Sequence, residues 1–170
     1  KFFAKTRLKL VDEKIPIKKK KKSKEMLKDQ NTMSTLYSEC IDFMKKLKKT
    51  PKIATLSYAR PGDYGRSEEI NQSLDDAKKL TQLIEKHTNQ KIENSCVLID
   101  QAIKNKCNIL IAPNGIVGNT IFRTLVLLNS WPSFGAITFG IDDIYIDTSR
   151  DQSREGYLRS LELAYKLAKL

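Results

Sequence analysis

The chain has 170 residues, 40% hydrophobic and 30% charged, with a formal net charge of +11. That length supports one ordinary core plus a small appendage, and no window approaches the eighteen uninterrupted apolar residues of a membrane-crossing helix. The opening "KFFAKTRLKL" is basic but lacks a signal peptide's apolar centre, and it does not begin with Met, so the chain is read as processed or as part of something longer.

Most of the positive charge sits at the start. Residues 1–31 carry twelve Lys/Arg against four acids, whereas the other 139 residues carry nineteen against sixteen. The block "KKKKK" at 18–22 reads as a solvated linker, because no aromatic residue from Lys18 to Gln30 is interleaved for base stacking. Nucleic acid is therefore not expected as a main partner. Residues 1–33 are taken as a basic, irregular segment with a strand-like start, and 34–170 as an α/β domain.

From Ser34, a plausible N-cap, Leu36, Tyr37, Cys40, Ile41, Met44 and Leu47 recur at helical spacing, and Pro51 follows the end. "KIATLS" (52–57) predicts a buried strand, and "YARPGDYGRSEEINQ" (58–72) a long polar loop. Ser73 and Asp76 suggest a capping box for a helix carrying Leu74, Ala77, Leu80, Leu83 and Ile84. A helix is expected over about 95–106, then a strand at "NILIA" (108–112). "PNGIVGN" breaks that strand, and "TIFRTLVLL" continues as a helix. "AITFG" and "IYID" read as two strands with some antiparallel pairing. The last helix is expected to bury a face of Tyr157, Leu161, Ala164, Tyr165 and Ala168. Strands alternating with helices predict a mixed, largely parallel sheet flanked by helices.

In such sheets ligands gather at the carboxyl ends of the strands. Three loops leave those ends: "SYARPGDYGR", "PNGIVGN" and "DTSRDQS". Arg60, Arg66 and Arg150 offer guanidinium forks for phosphate or carboxylate oxygens, although a surface ion pair from Arg150 to Asp147 or Asp151 is the plainer alternative. Gly115 and Gly118 would let backbone N–H groups approach an anion at a helix start. Alternatively, Gly115 serves only the turn and Asn119 only as an N-cap. Neither G-x-x-x-x-G-K-[ST] nor G-x-G-x-x-G occurs, which removes a P-loop and weakens a dinucleotide site. His87 lies at a helix end without a ligand partner, and no carboxylate pattern indicates a metal. Glu68, Glu69, Asp75 and Asp76 serve helix entry. Cys40, Cys96 and Cys107 are odd in number and set among apolar neighbours, which suits buried thiols in a reducing cytoplasm.

Taken in order, Leu56-Ser57, Arg60, Asp63, Gly65-Arg66, "IAPNGIVGN" (111–119), "IFRTL" (121–125) and Asp147-Thr148-Ser149-Arg150 resemble the carboxyl-terminal half of the phosphate acetyl/butyryltransferase family. They match best a methanogen branch of it described as methyltransferase-related. The resemblance runs from about Pro51 to Leu170. It implies a fold like that of isocitrate and isopropylmalate dehydrogenases, here without much of the amino-terminal lobe, in a homodimer. It also implies a cleft where acyl-CoA and phosphate meet, with Ser149 and Arg150 contacting thiol and phosphate. Ser57, Arg60, Arg66, Asn114, Gly115, Gly118 and Asn119 would complete the ligand site. The family's catalytic aspartate, six residues after the serine–arginine pair, corresponds to Gly156, leaving adjacent Glu155 as the candidate base. No cofactor is expected; CoA or an acyl phosphate would be a substrate. The expected function is binding of a phosphate- or CoA-type ligand. Active acyl transfer, a methyltransferase-associated role and a nucleic-acid or scaffold role are the alternatives.

Overall fold

The computed structural model describes residues 2–4, 39–138, 143–148, 150 and 152–169. Its main sheet has four parallel strands: β1 (Phe2–Ala4), β2 (Ile53–Leu56), β3 (Glu93–Cys96) and β4 (Ile109–Ile111), in the order β1-β4-β2-β3. The two central strands are fully buried four- and three-residue apolar runs, IATL and ILI, as parallel strands covered on both faces require. β1 lies within the segment read as basic and irregular, and pairs Phe2 with Ile109.

Alternate residues of β2 and β4 face opposite layers. Ile53, Ile109 and Ile111 pack with Cys40, Ile41 and Met44 of a helical stretch, α1 (39–46), and with Ile84 of α2 (Glu68–Thr88). Ala54 and Leu110 face the other way, toward Ala102 of α3 (Ile99–Lys104). The chain moves from β2 out to β3 through α2, then back across β2 to β4 through α3. That reversal places the two connecting helices on opposite faces, as right-handed crossovers dictate.

Asn108 aligns the central strands at their amino ends. Its Oδ1 accepts from Lys52 N–H at 2.8 Å and its Nδ2 donates to Thr50 O at 2.8 Å. With Ile53 set opposite Ile109 and Thr55 opposite Ile111, the carboxyl ends of β2 and β4 finish side by side.

Beyond β4 lie α4 (Gly115–Arg123), a π turn (Thr124–Leu128), an antiparallel pair β5 (Ala136–Ile137) and β6 (Ile146–Asp147), and α5 (Arg154–Leu167). Gly135 lies tight against this pair and α5: at its φ of +83° an added Cβ would come within 2.9 Å of Asp147 O and 3.4 Å of Ser160 Oγ. Among the described residues no helix is long and apolar enough to cross a membrane.

Three expectations change. Residues 93–96, just before and overlapping the expected helix, form β3, an edge strand whose polar sequence ENSC hides it from an apolar pattern. α2 begins at Glu68, not near Ser73: Ser67 Oγ caps it by accepting from Ile70 N–H at 3.2 Å. α5 buries Gly156, Ser160 and Leu163, while Tyr157, Leu161 and Tyr165 of the expected core face are exposed. Small side chains let α5 sit close to Gly135, and the larger stripe is turned outward. The part of the first helix at Ser34, and the expected strand "AITFG" at Phe139 and Gly140, lie outside the described residues.

Candidate functional site

The loops after β2 and β4 are joined directly. Tyr58, just beyond β2, receives a hydrogen bond on its phenolic oxygen from Asn114 Nδ2, just beyond β4. Asn114 is also the N-cap of α4: its Oδ1 accepts from Val117 N–H at 2.8 Å. With Oδ1 committed to the helix, the amide's NH₂ must be the end that faces Tyr58. Asn119, considered as a cap from sequence, sits inside α4 and is half-buried.

The cap leaves donors open. Asn114 satisfies the N–H groups of Val117 and Gly118 through its side chain and its carbonyl. The N–H groups of Gly115 and Ile116, one and two residues into the helix, have no acceptor among the described residues, and both residues are exposed. Two aligned N–H groups at the positive end of a helix favour an anion. Gly118 has a packing reason for lacking a side chain, since an added Cβ would stand 3.2 Å from Ala112 Cβ.

The first loop is held from below. Ser57 is buried, and its hydroxyl donates to Ala59 O at 2.9 Å while its N–H donates to Cys96 O at 3.0 Å. Ser57 thus shapes the turn with a hydroxyl turned inward. Ser73, buried on α2, accepts from Tyr58 N–H at 3.0 Å. Tyr58 was not singled out from sequence, and Ser73 was expected only as a helix cap. Their partners lie 56 and 15 residues away, beyond any local pattern.

Asp63 organises the loop's arginines. Its Oδ2 accepts from Arg60 N–H at 3.0 Å and its Oδ1 pairs with Arg66 at 2.9 Å. The Arg60 side chain is exposed and makes no ion pair among the described residues.

In the loop after β6, Arg150 occupies an exposed turn, and the alternative pair with Asp147 does not form. Ser149 lies outside the described residues. No hydrogen bond or ion pair among the described residues joins this loop to the Tyr58–Asn114 corner.

The helix start beyond Arg150 is already served from within. Ser153 Oγ accepts from Gly156 N–H at 3.2 Å. The Glu155 carboxyl is held below its ordinary value by its own backbone N–H, then by the Ser153 hydroxyl and the charge of Arg159. A carboxylate stabilised this way is a weaker base. Gly156 is buried, and Gln152 fills the space beside it: an added Cβ would find Gln152 Cγ 2.7 Å away. A side chain at 156 would require Gln152 to move aside.

The three cysteines are buried and free. Burial, followed by the nearby Glu39 charge, pushes Cys40 up to about 12. Burial and then Glu93 raise Cys107 to about 11. Neither is a nucleophile near neutral pH. Among the described residues no cluster of His, Cys, Asp and Glu could hold a metal.

Comparisons with known proteins give the family relation. No family model matches the chain. It is 33% identical over 122 residues to an uncharacterized methyltransferase of Methanocaldococcus jannaschii, covering 71% of this chain and 49% of that protein. To the putative methyltransferase mtx subunit X of Methanosarcina mazei it is 36% identical over 125 residues, covering 73% and 42%. Over these stretches the chain is similar to methanogen proteins named mtx subunit X. It spans about half the length of the curated relatives it matches. In structure it is similar to a branched-chain phosphotransacylase from Enterococcus faecalis, at TM-score 0.58 and 21% identity, covering 81% of this chain and 53% of that one. A phosphotransacetylase from Staphylococcus aureus matches at TM-score 0.58 and 19% identity, covering 82% and 46%. The chain thus has a phosphotransacylase-type α/β fold.

Proposed function

We propose that this chain is a phosphate acyltransferase-like protein that takes a phosphate- or CoA-type ligand at the carboxyl ends of β2 and β4. The observation that carries this is the Tyr58–Asn114 bridge, which draws the two loops together beside the open N–H groups of Gly115 and Ile116. In this reading those N–H groups hold phosphate oxygens, Arg60 adds positive charge at the rim, and Arg150 and Ser149 contribute the contacts that the family resemblance implies. The family resemblance extends this reading to a homodimer.

Acyl transfer needs a base for the CoA thiol, and general-base help is typically worth about 10²–10⁴ in rate. Gly156 supplies none and Glu155 is a weakened one, so the reading centres on binding, with turnover at most slow. Equilibrium titration with inorganic phosphate and with CoA tests it, comparing the chain with Arg150→Ala. Saturable binding of either ligand, weakened about tenfold by Arg150→Ala as expected for loss of a charged hydrogen bond, supports the proposal. Binding of neither ligand defeats it. The relatives' names favour a second reading, a component of a methyltransferase system, which the negative result would fit.

A further inference from the structure

We propose that Asn114 is a deamidation site held in check by the fold. Its amide stays intact while the corner between β2 and β4 grips it, and converts to aspartate and isoaspartate when that grip is released. The proposal does not depend on any ligand. Asn114 is the only asparagine of the chain that is followed by glycine. A glycine presents its backbone nitrogen to the preceding side chain with no Cβ in the way. Gly115 is also exposed, and it is the first residue of α4. The positive end of a helix favours negative charge, and so favours loss of the Gly115 amide proton to base in the solvent.

The reaction consumes only water. The deprotonated Gly115 nitrogen attacks Asn114 Cγ, and the new N–C bond closes a five-membered imide. The Cγ–Nδ2 bond breaks, and Nδ2 takes up a proton and leaves as ammonia. Water then opens the imide at either carbonyl. Cleavage at Cγ gives aspartate, and cleavage at the main-chain carbonyl gives isoaspartate. In isoaspartate the main chain runs through Cγ, so the carbonyl that held Gly118 becomes part of a side-chain carboxylate. Either product replaces the donor facing Tyr58 with a carboxylate.

The native geometry opposes this closure. A planar five-membered ring needs the Gly115 nitrogen eclipsed with Asn114 Cβ about the Cα–C bond. The ψ of Asn114 is 175°, which sets that nitrogen opposite the residue's own nitrogen and therefore well to one side of Cβ. Turning ψ toward closure swings the Asn114 carbonyl away from Gly118 N–H, now 3.0 Å from it. Bringing Cγ to the nitrogen draws Oδ1 off Val117 N–H, at 2.8 Å, and Nδ2 off the Tyr58 oxygen. Tyr58 does not follow, because its own N–H is tied to Ser73 Oγ on α2 at 3.0 Å. Reactions of this kind depend on a near-attack conformer, and here that conformer exists only once the cap of α4 is given up.

The test incubates the chain at mildly alkaline pH, native and in guanidinium chloride. Residue 114 is followed by peptide mapping that separates asparagine, aspartate and isoaspartate. Native conversion should be slower than unfolded conversion by roughly tenfold or more, since each hydrogen bond given up is worth a factor of about two to ten. Native Tyr58→Phe, which keeps the ring and removes one of those bonds, should convert roughly two- to tenfold faster than native wild type. A melting curve establishes that this variant is folded. If it melts far below wild type, Ser73→Ala, which frees the Tyr58 N–H, takes its place. Native and unfolded chains that convert at one rate overturn the proposal. A folded variant no faster than wild type also overturns it. So does an unfolded chain in which Asn114 reacts no faster than Asn94, which precedes serine. Aspartate without isoaspartate overturns it as well, because the imide opens both ways.

Discussion

The side chain of Gln152 lies against the backbone of Gly156, in the space that any larger residue at 156 would need for its Cβ. A larger residue at 156 fits the first turn of α5 only if Gln152 moves aside. Gly156→Ala should destabilise the chain by about 1–3 kcal/mol, as overpacking of a buried position does. Gln152→Ala should restore most of that loss in the double variant. A thermal-melt comparison of the single and double variants checks this. Gly156→Asp, which would recreate the acid expected from the transferases, should melt lower still.

Asn114 carries two interactions with one amide. Asn114→Ala removes the cap of α4 and should cost about 0.5–2 kcal/mol. Asn114→Asp keeps the cap oxygen and changes only the group facing Tyr58, so it should cost less. Urea unfolding midpoints would show that order.

A buried pair of hydroxyls makes a more directional case. Thr81 Oγ1 donates to Ala77 O at 2.8 Å, so Thr55 is the donor in the 2.7 Å contact between the two threonines. Thr81→Val strands the Thr55 donor, whose remaining acceptor, Glu93 O, is 3.5 Å away. The expected cost is about 1–3 kcal/mol, the penalty of an unmet buried polar group. Thr55→Val leaves Thr81 still bonded to Ala77 and should cost less. The opposite order in urea unfolding would mean that the polarity is the reverse.

The pH dependence of stability should involve Glu93. Partial burial raises its value, but hydrogen bonds from Ser95, Asn105 and Cys107 and the charge of Lys52 outweigh it and hold the carboxyl below the ordinary glutamate value. A group lowered by folding stabilises the protein above its unfolded value, and the contribution is lost as pH falls through the folded one. Unfolding midpoints measured from pH 7 down to about 3 should therefore fall less steeply for Glu93→Gln than for wild type. Glu39, raised by burial, works in the opposite direction over the same range.

The central strands and the start of α4 were legible because they are local patterns: β-branched apolar runs ending in a proline, then asparagine and glycine. β3 was not, because an edge strand with Glu93 and Asn94 half-buried or exposed lacks the apolar signature. Ser67 was passed over as a cap because α2 shows no buried residue until Ser73 and Leu74, a turn and a half later. α5 carries apolar residues on two sides, and composition cannot say which side meets the fold. Gly135 and Ser160 decide that, and neither is hydrophobic in a way a pattern would register. At the candidate site, the loops and Asn114 were visible as motifs. Tyr58 was not, because its importance lies in a partner 56 residues away.

That separation also makes the corner a reporter of folding. Tyr58 and Asn114 meet only after the chain has travelled out to β3 and returned to lay β4 beside β2. Long-range parallel pairing of this kind forms late and slowly. An anion that recognises the corner therefore binds the native chain and ignores the unfolded one. Such a ligand at a hundred times its Kd would add about 2.7 kcal/mol to stability. Melting the protein against a collection of phosphorylated compounds would then sort them by affinity with no catalytic assay, and would work equally well on a chain that has lost its chemistry.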